Sequence, residues 1–122
     1  MTGDERASLR DAIFALGSHV RYVAFGAGQH VDVRQREGVR DPSSGESDFY
    51  EELLVNPTLL TLVRQRGELD CGGLRYLIVA YGSFNQIVMQ TADSAGHVSV
   101  CVDLDADPVE AATRIAGLVA ES

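Results

Sequence analysis

Residues 73–119 read GLRYLIVAYGSFNQIVMQTADSAGHVSVCVDLDADPVEAATRIAGLV, and this stretch decides the fold. Its first part predicts two strands, Tyr76–Tyr81 and Phe84–Thr91. Gly82-Ser83 lies between them and is typical of a two-residue hairpin turn. A third strand, His97–Val102, follows another turn and places a valine at every second position. The stretch therefore predicts an antiparallel meander of three strands.

A helix closes the same stretch. Asp107-Pro108 supplies an N-cap and a first-turn proline. Helical spacing is kept by the apolar residues that follow, which are Val109, Ala112, Ile115, Ala116 and Val119. Earlier in the stretch, Leu77–Tyr81 is apolar without alternation, which is typical of a strand covered on both faces.

Upstream, residues 1–46 predict a helix, two strands and a loop. The helix is indicated by the spacing of Leu9, Ala12, Ile13 and Leu16, and Gly17 ends it. Tyr22–Phe25 predicts a buried strand, and His30–Gln35 alternates valines with charged residues, as in a protected edge strand. Arg36–Glu46 is a charged loop with Pro, Gly and Ser, and we expect it to be mobile.

The middle of the chain, Asp48–Arg66, has helical spacing with an interruption. Asp48 with Glu51 resembles a capping pair, and Asn56-Pro57 has the chemistry of a second N-cap followed by a first-turn proline. The pattern predicts two short helices in tandem or one kinked helix.

Taken in order, the elements predict an α+β domain, α-β-β-α-β-β-β-α, with a five-stranded antiparallel sheet. We expect the terminal helices on one face and the middle helix on the other. With 122 residues the chain has room for a single domain, 1–122.

The charge balance excludes several classes of partner. Ten arginines and no lysine oppose eighteen carboxylates, for a net charge of −8, which disfavours nucleic acid and anionic membranes as partners. Without lysine, Schiff-base chemistry and a P-loop are excluded. No apolar run is long and uninterrupted enough to span a membrane, and we expect a soluble, cytoplasmic, bacterial protein.

No catalytic residue, cofactor site or metal site is predicted. Asp103, Asp105 and Asp107 open like a calcium loop, but that loop would need a glycine where Pro108 stands. The three histidines lack metal-ligand spacing, and His97, at a strand start, reads as a half-exposed imidazole.

Two stretches together resemble the Roadblock/dynein light-chain family, including its bacterial members. They are Gly73–Val119, with its meander and final helix, and Leu9–Leu16 followed by Val20–Ala24. The sequence departs from the family pattern at Asn56-Pro57, which interrupts the middle helix, and in the length of the loop Arg36–Glu46.

The resemblance implies a profilin-like fold and a noncatalytic module that dimerises, by joining two sheets and placing the middle helices side by side. It also implies a platform for small Ras-like GTPases or motor complexes. Leu74–Tyr81 would be the joining strand, and this is physically consistent, because a neutral edge strand is an aggregation hazard unless a partner covers it. The implied interface consists of Phe49, Leu53, Leu59, Leu60, Val63, Tyr76, Ile78 and Tyr81.

Two other classes of function remain open. The chain could be a small-molecule-sensing domain of profilin-like or PAS-like architecture, which predicts an apolar pocket of ligand size beneath Phe49–Val63. An enzyme is the third class, although no acid, base or nucleophile has a supporting motif.

Overall fold

One five-stranded antiparallel sheet organises the chain, and the computed structural model describes all of residues 1–122. The helices and strands follow the predicted order, with a π-helical turn inserted in the middle helix. Their bounds are α1 Gly3–Phe14, β1 Val20–Ala27, β2 His30–Gln35, α2 Gly45–Tyr50, the π turn Glu51–Val55, α3 Asn56–Asp70, β3 Leu77–Ala80, β4 Asn85–Gln90, β5 His97–Val102 and α4 Pro108–Glu121.

The strands lie side by side in the order β2-β1-β5-β4-β3. The predicted meander β3-β4-β5 is confirmed, and β1 pairs with β5 at the centre of the sheet. β2 and β3 are therefore the two edges, and each offers one unpaired side of its backbone.

The hydrophobic core lies between the sheet and the two terminal helices. The valines of β5 alternate inward, and Val100 is fully buried with Val23 of β1. Ile13 of α1 and Ile115 of α4 close this layer from the other side, and both are also fully buried. Asp107 caps α4, accepting from the backbone N–H groups of Val109 and Glu110, so the predicted start of that helix is confirmed.

The middle helix covers the opposite face, which confirms the predicted layers, but its local structure corrects two expectations. The N-cap is Ser44, which accepts from the Ser47 backbone N–H at 3.1 Å, and not the pair Asp48 and Glu51. Asn56 is not a cap either, because its φ of −64° and ψ of −46° are helical.

A π turn replaces the predicted break at Pro57. The Asn56 N–H donates to the carbonyl of Glu51, five residues earlier. Pro57 has no N–H to give, and the hydroxyl of Thr58 donates to the Leu54 carbonyl at 2.6 Å. The wider π turn makes room for the proline ring without ending the helix. One continuous helical segment therefore runs from residue 45 to residue 70.

The loop Arg36–Glu46 is hydrogen-bonded to the body of the domain. Arg36 donates to the carbonyls of Phe14, Gly17 and Val20, and so satisfies backbone groups from the end of α1 to the start of β1. Arg21 donates to the carbonyls of Arg40 and Asp41 further along the loop. None of the helices combines the length and apolar character that crossing a bilayer requires.

Candidate interaction surface

The β3 edge is the first part of the candidate surface. The Tyr81 N–H donates to the Phe84 carbonyl at 3.0 Å, which sets the phase of the ladder between β3 and β4. Residues 77, 79 and 81 therefore turn their backbone groups toward β4, and Tyr76, Ile78 and Ala80 turn theirs outward. No residue of β3 is charged, and no segment of the chain pairs with this edge.

The C-terminal part of α3 flanks this edge. The Gly73 N–H donates to the Gly67 carbonyl at 3.0 Å, and a side chain at Gly67 would meet the Gly73 backbone at the same distance. This close approach holds α3 against the segment that leads into β3. On the same helix Leu62, Val63 and Leu69 are 61%, 40% and 77% exposed. The helix that precedes β3 therefore carries exposed apolar residues, and the strand edge that follows it is uncharged.

The structure places the predicted interface residues in different environments. Leu60 is buried against the chain's own sheet, so it is not among the exposed helix residues. Leu53 and Leu59 are half-buried. Phe49 is exposed on α2, which packs over β2, at the edge of the sheet opposite to β3. Among the strand residues, Tyr76 and Ile78 pack against the core under α1 and α4, whereas Tyr81 turns toward the middle helix.

Tyr81 connects the β3 end of the sheet to the π turn. Its hydroxyl donates to Glu51 Oε1 at 2.8 Å. Burial, together with the bond to Glu51, raises the pKa of Tyr81 to about 12. Burial also raises the pKa of Glu51, which lies near the carboxylates of Glu52 and Asp48, although the hydrogen bond from Tyr81 acts in the opposite direction.

Beneath the middle helix lies a buried polar network that sequence reasoning missed. Its centre is Glu52, which is 0% exposed. The Tyr22 hydroxyl donates to Glu52 Oε2 at 2.8 Å, and the amide of Asn56 donates to Oε1 at 2.9 Å. His97 Nε2 lies 2.9 Å from the same oxygen. Side chains from β1, α3 and β5 therefore satisfy one carboxylate of the π turn.

The network continues across the sheet. The Asn56 amide also donates to Ser99 Oγ at 3.1 Å, and the Gln86 amide lies 2.5 Å from the same oxygen. All six side chains of the network are buried, with His97 the most exposed at 4%. Asn56 Oδ1 and Gln86 Oε1 have no hydrogen-bond partner within the chain. The other bonds of the network hold the helix in one rotation over the sheet, because turning it would leave further buried polar groups unpaired.

The prediction of a half-exposed His97 is wrong, because its ring is 4% exposed and lies on the backbone of Gly26. A Cβ at Gly26 would stand 2.2 Å from the imidazole Cε1, so only glycine leaves room for the ring. The available sequence signal was the alternation of His97, Ser99 and Cys101 on the face of β5 that does not carry the valines.

The remaining sequence candidates have structural roles. Asp103 pairs with Arg21 at 2.9 Å and Asp107 caps α4, so these two carboxylates of the DxDxD run are already used. Cys101 is buried between strands, and burial raises the pKa of its thiol to about 12. Cys71 is exposed.

Two clefts of the structure lie elsewhere than beneath Phe49–Val63, where the sequence predicts a pocket. A cleft of about 460 Å³ opens at the far end of β1 and β2, between Phe25, Asp32 and Asp93. A second, of about 390 Å³, lies between α1 and α4. The space beneath the middle helix holds the side chains of the polar network, so the structure does not favour the ligand-sensing alternative.

This fold is that of a Roadblock/LC7 domain, which confirms the resemblance seen in the sequence at the level of the fold. A Roadblock/LC7 domain from Streptomyces avermitilis superimposes with a TM-score of 0.69 at 20% identity, over 93% of this chain and 91% of that chain. The gliding protein MglB from Thermus thermophilus gives 0.68 at 11% identity, over 99% and 92%. MglC from Myxococcus xanthus gives 0.55 at 13% identity, over 97% and 99%. No protein-family model and no curated protein matches the sequence.

Proposed function

We propose that this chain is a noncatalytic, cytoplasmic adaptor that forms a homodimer through β3 and the adjoining part of α3, and that regulates or scaffolds a small Ras-like GTPase. The observation that carries the proposal is the uncharged, unpaired β3 edge, together with Leu62 and Leu69, which are exposed on the helix that precedes it. Both features are costly to leave in water and are covered together if two sheets join.

Related folds support self-association. One solved structure is described as MglB with tetrameric arrangement, and it superimposes on this chain with a TM-score of 0.65 at 10% identity. In the proposed dimer the outward backbone groups of Ile78 and Ala80 pair with a second copy. Leu59, Val63 and Tyr81, with the nearby Leu62 and Leu69, would surround that strand pair, and Tyr76 and Ile78 would extend the core across it.

Light scattering coupled to size exclusion at micromolar concentration tests the dimer. Ala80→Pro removes an outward N–H that the monomer does not use, and Leu62→Glu places a charge on the exposed helix surface. Each variant should shift the protein from dimer to monomer. Val109→Glu is the matched control, because Val109 is 54% exposed on α4, away from this surface, and its variant should remain dimeric. A monomeric wild-type chain would refute the proposal.

The GTPase partner is tested separately. A Ras-like GTPase encoded beside the gene for this chain is the appropriate probe, loaded either with GDP or with a non-hydrolysable GTP analogue. We expect binding that depends on the nucleotide, measured by calorimetry, and loss of that binding in a dimer-breaking variant. Equal absence of binding in both nucleotide states would remove the GTPase from the proposal and leave the dimer unaffected.

A further inference from the structure

The second sheet edge, β2, also has a free side. The Arg36 N–H donates to the Arg21 carbonyl at 2.8 Å, and this bond sets the phase of the ladder between β1 and β2. His30, Asp32 and Arg34 accordingly direct their backbone groups to β1, while Val31, Val33 and Gln35 direct theirs outward. The two valines therefore present unpaired N–H and C=O groups at this edge.

We propose that β2 pairs antiparallel with β2 of a second copy of this chain, about a two-fold axis at Val33. In this register Val33 faces its own copy, and Val31 faces Gln35 of the second copy. These are the residues with outward backbone groups, so each copy supplies donors and acceptors where the other needs them.

The charges of β2 select this register. Asp32 and Arg34 lie on the same face, and the two-fold at Val33 places each Asp32 directly opposite the second copy's Arg34. Moving the axis to Asp32 would oppose two carboxylates, and moving it to Arg34 would oppose two guanidinium groups. The sequence HVDVRQ is thus self-complementary in one register and self-repelling in the registers on either side.

Both charged groups are available for the pairing. Arg34 is exposed and has no salt bridge within the chain. The side chain of Asp32 is 45% exposed and contacts Arg10 through Oδ2 alone, at 2.5 Å, which leaves Oδ1 for a second cation. The next residue pair outward would be His30 with Arg36, and the Arg36 guanidinium is already turned toward three carbonyls of its own chain.

Apolar groups line the other face of the same edge. Val33 is half-buried beside Tyr22 and Ala24. α2 packs over β2, and its residues Phe49 and Tyr50 are 50% and 59% exposed. When two β2 edges join, the α2 helices of the two copies, with their exposed Phe49 and Tyr50, come close to each other. A strand pair of six residues is small for an interface, so we expect weak association that strengthens when another contact already links the copies.

This pairing uses a different edge from the proposed β3 dimer and does not depend on it. If both interfaces form, two-fold contacts alternate and the sheets join into tetramers or longer rows. Introducing Ala80→Pro, which blocks the β3 edge, leaves β2 as the interface to be measured, so failure of one proposal is distinguishable from failure of the other.

Disulfide trapping tests the register in the Ala80→Pro, Cys71→Ser background, which removes the exposed native thiol. Val33→Cys should form a disulfide-linked dimer under mild oxidation, since Cα atoms of a hydrogen-bonded antiparallel pair lie roughly 5.5 Å apart. Val31→Cys is the matched control, because Gln35 faces it and not a second cysteine. Equal cross-linking of the two variants, or no cross-linking of Val33→Cys, would overturn the register.

Sedimentation velocity across a concentration series tests the charge pairing in the Ala80→Pro background. Arg34→Glu places two carboxylates opposite each other at both ends of the pair and should raise the dissociation constant about tenfold. Arg114→Glu makes the same change of charge at an exposed arginine of α4 and should leave the association unchanged. Equal effects of the two substitutions, or no effect of Arg34→Glu, would contradict the proposal.

Discussion

Asn56 could act as a helix N-cap or as a buried hydrogen-bond donor, and the substitution Asn56→Asp distinguishes these two roles. As an N-cap, an aspartate would serve as well as asparagine. In the structure, however, the side-chain amide of Asn56 donates both to Glu52 Oε1 at 2.9 Å and to Ser99 Oγ at 3.1 Å, and both residues are fully buried. The isosteric change removes both donors and places a carboxylate against a buried carboxylate.

The expected loss of stability follows from these contacts. Each lost hydrogen bond leaves a buried acceptor less satisfied, at about 1–3 kcal/mol. An uncompensated buried charge brings the total to about 3–5 kcal/mol. For a domain of this size roughly 4 °C of melting temperature corresponds to 1 kcal/mol, so the midpoint should fall by about 12–20 °C. The defect should shrink as the pH falls, because burial beside Glu52 raises the pKa of the new carboxyl and a proton there relieves the repulsion.

Urea unfolding gives the free energy and thermal unfolding gives the melting temperature, both followed by circular dichroism at neutral and at weakly acidic pH. Gln65→Glu is the matched control, since it makes the same amide-to-carboxylate change at an exposed position of α3. The control should stay within about 0.5 kcal/mol of wild type. If Asn56→Asp were as stable as Gln65→Glu at neutral pH, Asn56 would act as a surface or capping residue and the buried network would be wrong.

Three further outcomes are expected. Gly26→Ala should cost several kcal/mol in urea unfolding, because its methyl group would stand 2.2 Å from a buried imidazole carbon, whereas Gly45→Ala, with nothing within 4 Å, should be nearly neutral. Burial raises the folded-state pKa of Glu51, so the folded wild-type chain holds that proton more tightly than the unfolded chain does and loses stability as the pH rises from about 4.5 toward neutrality. Glu51→Gln removes this proton, and the loss of stability over the same pH range should be smaller. A thiol reagent at neutral pH should modify Cys71 in the native protein and Cys101 only after unfolding, because Cys101 is buried and its thiol pKa is raised to about 12. A stable Gly26→Ala variant would contradict the packing of His97 on Gly26. An unchanged dependence of stability on pH in Glu51→Gln would contradict the burial of Glu51, and modification of both thiols in the native protein would contradict the burial of Cys101.

The middle helix shows where local sequence signals fail. Asn56-Pro57 has the chemistry of a helix start, and nothing in its neighbours distinguishes a cap from a buried amide. The partners that decide the matter are Glu52, one turn earlier, and Ser99, 43 residues later. Because the amide finds both of its acceptors in the interior, the chain remains helical through Pro57 and relieves the proline with a π turn.

The candidate surface was only partly predictable for a related reason. The absence of charge in β3 is visible in the sequence, and so is the alternation of charges in β2. Which leucines remain exposed depends on the rotation of the helix over the sheet. Leu60 is buried and Leu62 is exposed because the network around Glu52 sets that rotation.

By itself, the sequence determined the order of helices and strands, the layers and the predicted meander, since the periodicity of apolar residues is a local property that survives in any compact arrangement. Only the tertiary structure decided which polar groups are buried together, and hence which helix face and which strand edges are free. The physical reason is that a buried carboxylate such as Glu52 is tolerated only where distant residues, here Tyr22 and His97, supply its hydrogen bonds, and spacing along the chain does not reveal that meeting.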